Sequence, residues 1–360
     1  MRTAFFIVLT AFLLSSCAKS DTQSYIAPDN PNFSYLGRFD LSDPAKPVFM
    51  YSGCAIRTVF DGTSVELILK DDSLRNMFTV IIDDSLFVIT ANRPDSSYLL
   101  ASGLPNKRHN LEIIRRTEWH GGNTTFLGLN LDGGSKIYEP VVKERKIEFI
   151  GDSYTCGYGN EGKSVEEHFA YETENNYLSY GAITARALDA EYVAVCRSGI
   201  GIVQGYGGGR DFNMPAHYDE VILNSSEKWD YSHYQPQLVV INLAGNDLSA
   251  PLDPAEFVNA YVGFLKRIRA NYPDAGIVCI AGPSSDNAQW VTWRNLIHGV
   301  VNQFGTADQA VHYFEFSTME LHGSDWHPNV EEHQKMAGEL TTFLRELMKW
   351  PDDSATQATT

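Results

Sequence analysis

The stretch that decides the fold of this chain is Ile147-Glu148-Phe149-Ile150-Gly151-Asp152-Ser153. Its first four residues form a short, mainly apolar run that ends at a glycine, which is typical of a strand buried in a sheet. A polar aspartate–serine pair follows directly where the strand ends. From residue 145 onward, segments of this kind alternate with helical ones, and this alternation predicts a parallel sheet with helices on its faces.

The same alternation continues almost to the end of the chain. Unbroken apolar strands fit burial on both faces of a sheet, and Asp253 before Pro254 is a good helix N-cap. Strands are predicted at residues 192–195, 238–243 and 277–280, and helices at 176–188, 254–271 and 331–350. We therefore predict an α/β domain with a doubly wound parallel sheet over residues 143–350.

Upstream of this domain the pattern is that of strands without a convincing helix. Strands are predicted at 63–69, 78–82, 86–89, 109–115 and 125–131, with a tight turn at Asp83-Asp84-Ser85. Several short strands of this type predict a β-sandwich or jelly roll over residues 35–142. The polar segment before it carries Pro28 and Pro31, which predicts a tether over residues 17–34.

The first residues have the pattern of a secretion signal. An apolar run at residues 4–14 follows Arg2 and is too short to span a bilayer. Leu14-Ser15-Ser16-Cys17 resembles a bacterial lipobox, which predicts a signal peptide over 1–16 and lipidation of Cys17. We therefore expect a secreted protein held to the membrane at the periplasmic or cell-surface face of a bacterial envelope. The alternative is an ordinary signal peptide that is cleaved nearby. At the other end of the chain, residues 351–360 are predicted to be a C-terminal tail.

Charge and cysteine usage exclude some classes of function. Asp and Glu total 45 against 28 Lys and Arg, for a formal net charge of −17. A nucleic-acid-binding protein needs a basic face, so we expect no nucleic-acid partner, whereas neutral sugars are not repelled. The 5 cysteines are scattered without metal-type spacing, and we expect no metal and no cofactor.

Chemistry-bearing side chains follow three of the predicted strands directly. In an open α/β sheet, sites form beyond the carboxyl ends of the strands, so we expect the three segments to converge. Ser153 is the candidate nucleophile, although a lone serine there also suits a helix cap. Asn246 is a candidate oxyanion donor together with the backbone N–H groups of Ser153 and Gly199. The segments are Gly151-Asp152-Ser153, Ser198-Gly199 and Gly245-Asn246-Asp247.

The candidate base is His327, which lies just before the predicted C-terminal helix. Asp325 is two residues earlier and is a candidate for orienting the imidazole. A zinc site built from these two residues with His322 and His333 has no established ligand spacing to support it.

Four ordered blocks make the sequence similar to a known family. The block at residues 149–159 resembles the first block of SGNH (GDSL-like) hydrolases, and it is most similar to carbohydrate esterase family 2, the acetyl xylan esterase branch. Residues 175–188, 197–202 and 325–328 extend the resemblance. It implies a jelly-roll domain before a three-layer, flavodoxin-like SGNH domain. It also implies Ser153 as nucleophile, His327 as base, Asp325 as its orienter, and an oxyanion hole of Ser153, Gly199 and Asn246.

The chain departs from the family pattern at two places. Ala244 stands where the third block usually has glycine, and Asp325 is two residues before His327 where the wider superfamily often has three. The spacing leaves open whether Asp325 completes a triad or the enzyme works as a Ser–His pair. For the substrate rim, Trp326 and Trp290 are candidates for stacking on sugar rings, while Trp293 suits core packing at least as well.

The resemblance implies a serine esterase that removes O-acetyl groups from a polysaccharide or oligosaccharide, of the acetyl xylan or glucomannan type, through an acetyl-enzyme. The same scaffold also suits peptidoglycan O-acetyl groups, lipids or other esters. An alternative of another class is a catalytically inactive carbohydrate-binding lipoprotein. A nucleotide site at Gly199-Ile200-Gly201 is disfavoured, because the spacing is not GxGxxG.

Overall fold

The computed structural model describes residues 23–223, 225–284 and 288–351. The predicted signal peptide, Cys17 and residues 352–360 of the predicted tail lie outside the described residues. In the described part of the chain, none of the helices is both long and apolar enough to cross a bilayer.

The N-terminal domain consists of two antiparallel sheets. One has the strand order β3-β4-β11-β6-β9 with β1 beside β11, and the other has the order β12-β5-β10-β7-β8 with β2 beside β5. The tight turn predicted at Asp83 is confirmed, because Ile82 pairs with Ser85 across it. The strands are β1 (Ser24–Ile26), β2 (Ser34–Leu36), β3 (Phe39–Asp40), β4 (Val48–Phe49), β5 (Ala55–Gly62), β6 (Val65–Asp71), β7 (Met77–Ile82), β8 (Ser85–Thr90), β9 (Ser96–Ala101), β10 (Lys107–Arg115), β11 (Thr124–Leu131) and β12 (Ile137–Tyr138).

The inward-facing side chains of both sheets form one core. Leu67 and Leu129 of the first sheet and Val80 and Ile113 of the second are buried in the same apolar cluster. Burial of one face per sheet explains the alternation of apolar residues along these strands. The sandwich predicted for this part of the chain is therefore confirmed.

The predicted tether is too long. Residues 24–26 pair with the edge of the first sheet through β11, and Phe33 is buried with its ring 5.1 Å from that of Phe126. The polar, proline-containing sequence concealed this pairing, because a three-residue strand has too few residues to show an alternation. Residues 24–34 therefore belong to the sandwich.

The C-terminal domain is a five-stranded parallel sheet with helices on both faces. The register is parallel at every pairing, and the strand order is β14-β13-β15-β16-β17. This is the flavodoxin-like order, as expected. The elements are β13 (Arg145–Gly151), α1 (Ser153–Cys156), α2 (Tyr180–Ala187), β14 (Ala190–Cys196), α3 (Met214–His217), β15 (Leu238–Asn242), α4 (Pro254–Asn271), β16 (Gly276–Ala281), α5 (Ala288–Gly305), β17 (Val311–Glu315) and α6 (Val330–Met348).

Alternate residues of the central strands enter two different cores. Leu238 and Val240 of β15 pack with α2 and α6 on one face. Val239 and Ile241 pack with α4 and α5 on the other. Because strand order reverses at β13, a crevice opens beyond the carboxyl ends of β13, β14 and β15.

One predicted helix of the C-terminal domain begins later than expected, and some elements of that domain were not predicted. The helix expected at 176–188 begins at Tyr180, after a single 3-10 turn, because Ser179 caps it through Ala182 N–H. Helix α5 and strand β17 were not predicted. The edge strand β17 is only partly buried, so its apolar signal is weak.

Two buried charged residues lie where the two domains meet. Arg38 of the sandwich and Glu148 on β13 are both fully buried. The Arg38 guanidinium donates to the carbonyl oxygens of Tyr218 and Glu220, and Glu148 accepts from the hydroxyls of Tyr218 and Tyr272. Burial raises the pKa of Glu148, which the charge of Arg38 opposes.

Candidate active site

Three strand ends meet at one cleft, as the sequence predicted. Ser153 opens α1 directly after β13, Gly199 follows β14, and Asn246 follows β15. All three line a cleft of about 470 Å³. Its other lining residues are His120, Tyr158, Ser198, Tyr206, Asp325, Trp326 and His327.

The candidate nucleophile and base are in direct contact. Ser153 Oγ and His327 Nε2 are 2.8 Å apart, which is hydrogen-bond distance. Ser153 stands at the first position of α1, where Asp152 is the N-cap and accepts from the backbone N–H of Tyr154. The strand-to-helix turn thus points the serine hydroxyl out of the sheet and toward the histidine.

The other ring nitrogen of His327 faces backbone oxygens. Nδ1 lies 3.0 Å from the carbonyl oxygen of Ser324 and 3.1 Å from that of Asp325. Carbonyl oxygens only accept, so Nδ1 carries the proton and Nε2 is left as the base. Burial lowers the pKa of His327 below its ordinary value of 6.5, against the opposing effect of these hydrogen bonds. The imidazole is therefore neutral and ready to take a proton at neutral pH.

Asp325 does not orient His327 through its side chain, contrary to the triad expectation. Its carboxylate accepts from the Tyr158 hydroxyl at 2.8 Å and contacts His168 Nδ1 at 2.8 Å. The reason is local backbone geometry, because Asp325 and Trp326 have φ values of 50° and 57°. Two successive left-handed residues turn the Asp325 carboxylate away from His327 and bring the Asp325 carbonyl oxygen to Nδ1 of the ring. Of the two alternatives left open, the geometry is that of a Ser–His pair.

The loop that carries His327 is fixed at both ends. Ser324 N–H donates to Gly159 O at 3.0 Å, and Gly323 N–H donates to His327 O at 2.8 Å. Beyond the base, Asn329 and Glu332 form a capping box that starts α6. The base is therefore held by backbone hydrogen bonds and by a rigid helix start.

Backbone donors for an oxyanion are present at the cleft. The N–H groups of Ser153 and Gly199 have no protein acceptor among the described residues. Gly199 has a φ of 81°, a conformation that glycine adopts without strain. Both groups are therefore available to a charge that develops beside Ser153 Oγ.

Asn246 is at the cleft, but its amide nitrogen already has partners. It donates to Ile200 O at 2.9 Å and to Asp152 Oδ2 at 3.2 Å. Service as an oxyanion donor requires exchange of the longer bond for the substrate oxygen. Burial raises the pKa of Asp152 to about 7, and a protonated carboxyl is a weaker acceptor, which favours that exchange.

The residues beside Asn246 hold the neighbouring loop. The Asp247 carboxylate accepts from the backbone N–H groups of Ile202, Val203 and Gln204 at 2.7–3.1 Å. Ala244 is fully buried and has a φ of 139°, a region that favours glycine. This accounts for the usual glycine at that place, and Ala244 adopts the same backbone with a methyl group added.

The aromatic residues expected at the rim divide into two groups. Trp326 is at the cleft and 65% exposed, whereas Trp290 is buried at 2% exposure and is not at the rim. The reason is α5, which places Trp290 and Trp293 three residues apart on its inner face, where their rings meet at 6.1 Å. Tyr206, which also lines the cleft and is 78% exposed, was missed. Its signal was an aromatic residue inside the glycine-rich segment 205–209.

Two further residues come from the sandwich domain and were not predicted. His120 lines the cleft, with its ring stacked on Trp119 at 4.5 Å. Glu118 lies behind it, fully buried and 3.5 Å from His120 Nδ1. Their sequence context carries no motif, so only the packing of the two domains reveals them.

The described residues show no cluster of metal ligands at the cleft or elsewhere. They contain no group of three or more histidine, cysteine or acidic residues placed to hold a metal ion. Within the same residues, His322 bonds with Glu332 at the surface and His333 is buried against Tyr180, so these two histidines do not join His327.

The fold and the site together define a GDSL-like serine hydrolase. Residues 35–140 match the Carbohydrate esterase 2 N-terminal family, and residues 149–335 match the GDSL-like Lipase/Acylhydrolase family. The chain belongs to the family 2 carbohydrate esterases.

Named relatives agree with this assignment. The chain is 31% identical to an acetylxylan esterase / glucomannan deacetylase of Cellvibrio japonicus, over 97% of the chain and 100% of the relative. It is 40% identical to the cellulase/esterase CelE of Acetivibrio thermocellus over 89% of the chain, and it spans only 40% of the length of that relative. A solved family two carbohydrate esterase from Clostridium thermocellum, in complex with cellohexaose, has a TM-score of 0.85 and 39% identity, covering 89% of this chain and 100% of that one.

Proposed function

We propose that this protein is a serine esterase that removes O-acetyl groups from a polysaccharide or oligosaccharide, of the acetyl xylan or glucomannan type. The observation that carries the proposal is the 2.8 Å contact between Ser153 Oγ and His327 Nε2 in an open cleft. The names of its Cellvibrio relatives support the substrate class.

The geometry supports acyl transfer in two steps. His327 Nε2 takes the Ser153 proton as Oγ attacks the acetyl carbonyl, and the N–H groups of Ser153 and Gly199 stabilise the oxyanion. His327 then returns the proton to the departing sugar hydroxyl. Water hydrolyses the acetyl-enzyme by the same route. Each donor of this kind is worth about 3 kcal/mol of barrier.

The shape and lining of the cleft favour a sugar over a lipid. Most of its lining side chains carry a polar group, and the exposed rings of Tyr206 and Trp326 are among them. Aromatic faces offer large apolar surfaces on which sugar rings stack. A lipid would require a longer apolar surface than these two rings offer.

The test is acetate release from acetylated xylan, acetylated glucomannan and O-acetylated peptidoglycan, with the protein starting after Cys17 and its Ser153→Ala variant. We expect serine-dependent acetate from the plant polysaccharides. The variant should unfold within about 1 kcal/mol of the parent, because it loses one hydrogen bond. Acetate release from peptidoglycan alone would show that the substrate is the bacterial cell wall rather than a plant polysaccharide. Cleavage of an aryl acetate alone would still support a serine esterase, but it would contradict a polysaccharide as the substrate.

We also propose that Cys17 carries a lipid that anchors the secreted protein to the periplasmic or cell-surface face of a bacterial membrane. The apolar run at 4–14 and the Leu14-Ser15-Ser16-Cys17 sequence support this. In a bacterial host, Cys17→Ser should move the protein from the membrane fraction to the soluble fraction. Unchanged membrane association of the variant would overturn the anchor.

A further inference from the structure

The sandwich domain contacts the catalytic machinery through a carboxylate that the acyl-transfer scheme leaves unused. Glu118 lies between β10 and β11 and is fully buried. Its carboxylate accepts from the backbone N–H of Ser198 at 2.6 Å and also from the Ser198 hydroxyl. Ser198 directly precedes Gly199, which lines the cleft and whose N–H has no acceptor among the described residues. Glu118 therefore fixes the residue directly before one oxyanion donor.

The same carboxylate also contacts the helix of the nucleophile. Cys156, at the last position of α1, donates its thiol to Glu118 Oε2 at 3.4 Å. Ser153 is the first residue of that one-turn helix. One side chain of the sandwich thus bonds to both segments that must be aligned for acyl transfer.

The charge of Glu118 is set by its neighbours. Burial alone would raise the pKa of its carboxyl, but His120 and the two donors of Ser198 outweigh burial and leave that pKa lowered. Glu174 accepts from the Glu118 backbone N–H at 3.2 Å. Burial, together with the charge of Glu118, raises the pKa of Glu174 well above its usual range. The pair therefore holds one negative charge, on Glu118.

We propose that Glu118 is a positioning residue for the esterase: it holds Ser198, and through it the N–H of Gly199, in oxyanion geometry. The proposal rests on the proposed esterase function. It gives the sandwich domain a direct part in catalysis, through a residue 35 positions before the nucleophile.

The charge of Glu118 also acts on His327, which has no carboxylate on Nδ1. Burial lowers the pKa of His327, and its backbone hydrogen bonds, then the charges of Asp325 and Glu118, oppose that shift. Of the other titratable residues around the site, Asp152 has a pKa that burial raises to about 7. Burial lowers the pKa of His333 to about 3, and it raises those of Tyr154 and Tyr158.

His120 titrates beside Glu118. Burial alone would lower the pKa of His120, but the hydrogen bond and charge of Glu118 prevail and the pKa is raised. A protonated His120 therefore offsets part of the Glu118 charge at acid pH. A His120→Gln variant keeps the Glu118 carboxylate but cannot titrate at position 120. The difference between its pH–rate profile and that of the parent is therefore the contribution of His120.

The test uses variants of Glu118 and a matched control at the same domain interface. Glu118→Gln removes the charge, and Glu118→Asp keeps the charge while withdrawing it from Ser198. The control is Glu191→Gln on β14, which is equally buried, pairs with Arg57 of β5 at 2.9 Å and does not line the cleft. Rates on an aryl acetate against pH, together with urea unfolding, are measured for all variants.

Glu118→Gln is expected to lower kcat about 10- to 100-fold with little change in KM, because a displaced oxyanion donor acts mainly in the transition state. The acid limb of kcat/KM should also move to lower pH, because loss of the negative charge lowers the pKa of His327. Glu118→Asp should lower kcat with the limb unmoved. Glu191→Gln should lower stability alone.

The proposal is overturned if Glu118→Gln has the kcat and acid limb of the parent. It is also overturned if both Glu118→Gln and Glu191→Gln lose activity in proportion to the stability they lose, and the acid limb of kcat/KM does not move in either variant. That result would show that Glu118 has a structural role only. Ser153→Ala in the same assay distinguishes failure of the esterase proposal from failure of the positioning proposal. Hydrolysis that survives in Ser153→Ala removes the esterase proposal itself, whereas serine-dependent hydrolysis unaffected by Glu118→Gln removes only the positioning role.

Discussion

At the scale of single residues, the base is oriented by backbone oxygens and tuned by charges that do not touch it. His327 donates from Nδ1 to two carbonyl oxygens, while the carboxylate of Asp325 is engaged with Tyr158 and His168. Orientation and electrostatic support therefore come from different groups. In a Ser-His-Asp triad, one aspartate does both.

The first prediction follows from this separation. Asp325→Asn keeps the carbonyl that orients His327, so we expect kcat to fall by about tenfold or less, far below the 10⁴-fold typical of a triad aspartate. Loss of its charge lowers the pKa of His327, and the acid limb of kcat/KM should therefore move to lower pH. Steady-state rates on an aryl acetate between pH 4 and pH 8 measure both effects.

His327→Ala is the matched comparison, and it should lose activity to nearly the level of Ser153→Ala, because the two act as a unit. Losses of similar size for Asp325→Asn and His327→Ala would show that the carboxylate is essential and would contradict the Ser–His pair.

How far the sequence determines the site can be judged from particular residues. Ser153, Gly199 and Asn246 were predictable because each follows a predicted strand, and parallel strand ends meet. The direction of the Asp325 carboxylate was not predictable, since it depends on two left-handed, non-glycine residues. Glu118 and His120 could not be found because they lie in the other domain, where no motif marks them.

At the scale of elements, helix starts were predicted best where a capping residue is present. Asp253 and Pro254 mark the start of α4, and α4 ends at Asn271 as predicted. Asn329 caps α6 through a reciprocal bond with Glu332. Helix α5 was not predicted, and Trp290 and Trp293, which lie on its apolar face, were considered as rim or core aromatics instead.

The second prediction concerns the cap of α6. The Asn329 side chain accepts from Glu332 N–H at 2.9 Å, and Asn329 N–H donates to the Glu332 carboxylate at 2.8 Å. Asn329→Ala removes one of these bonds and should cost about 1 kcal/mol of unfolding free energy. Urea unfolding measures the loss.

Asn329→Asp is the control, because it keeps a side-chain acceptor at the cap and should unfold within about 0.5 kcal/mol of the parent. Equal stability of the alanine variant and the parent would mean that the start of α6 is fixed by packing rather than by the cap.

At the scale of the whole molecule, the two domains share one apolar core, and Arg38 and Glu148 both bond to Tyr218. Side chains of the sandwich and of the parallel sheet occur in the same cluster. Arg38 lies over the ring of Tyr218 at 4.8 Å, and its charge opposes the rise in the pKa of Glu148 that burial causes. The domains are therefore expected to unfold together.

The third prediction tests the effect of the Arg38 charge on Glu148. Arg38→Met leaves Glu148 buried without its counter-charge and should cost about 3–5 kcal/mol in urea unfolding. The pKa of Glu148 is already raised by burial in the folded state and rises further without Arg38. Stability of the variant should therefore fall as pH increases from the unfolded pKa of a glutamate through the folded one.

Addition of Glu148→Gln to Arg38→Met should restore part of the loss and flatten its pH dependence, since no charge then remains to be desolvated. A double variant no more stable than Arg38→Met would show that the loss comes from packing of the Arg38 stem rather than from charge.

The use of backbone carbonyl oxygens to orient His327 has a consequence for how the sequence can evolve. An aspartate that orients a base is lost by a single codon change, but all twenty amino acids carry a carbonyl oxygen. Genetic drift at positions 324 and 325 therefore leaves the acceptors in place. The surviving constraint is conformational, because the residues at 325 and 326 must tolerate a left-handed backbone. In a lineage descended from this gene, the side chain at position 325 is free to acquire another task while the base remains oriented.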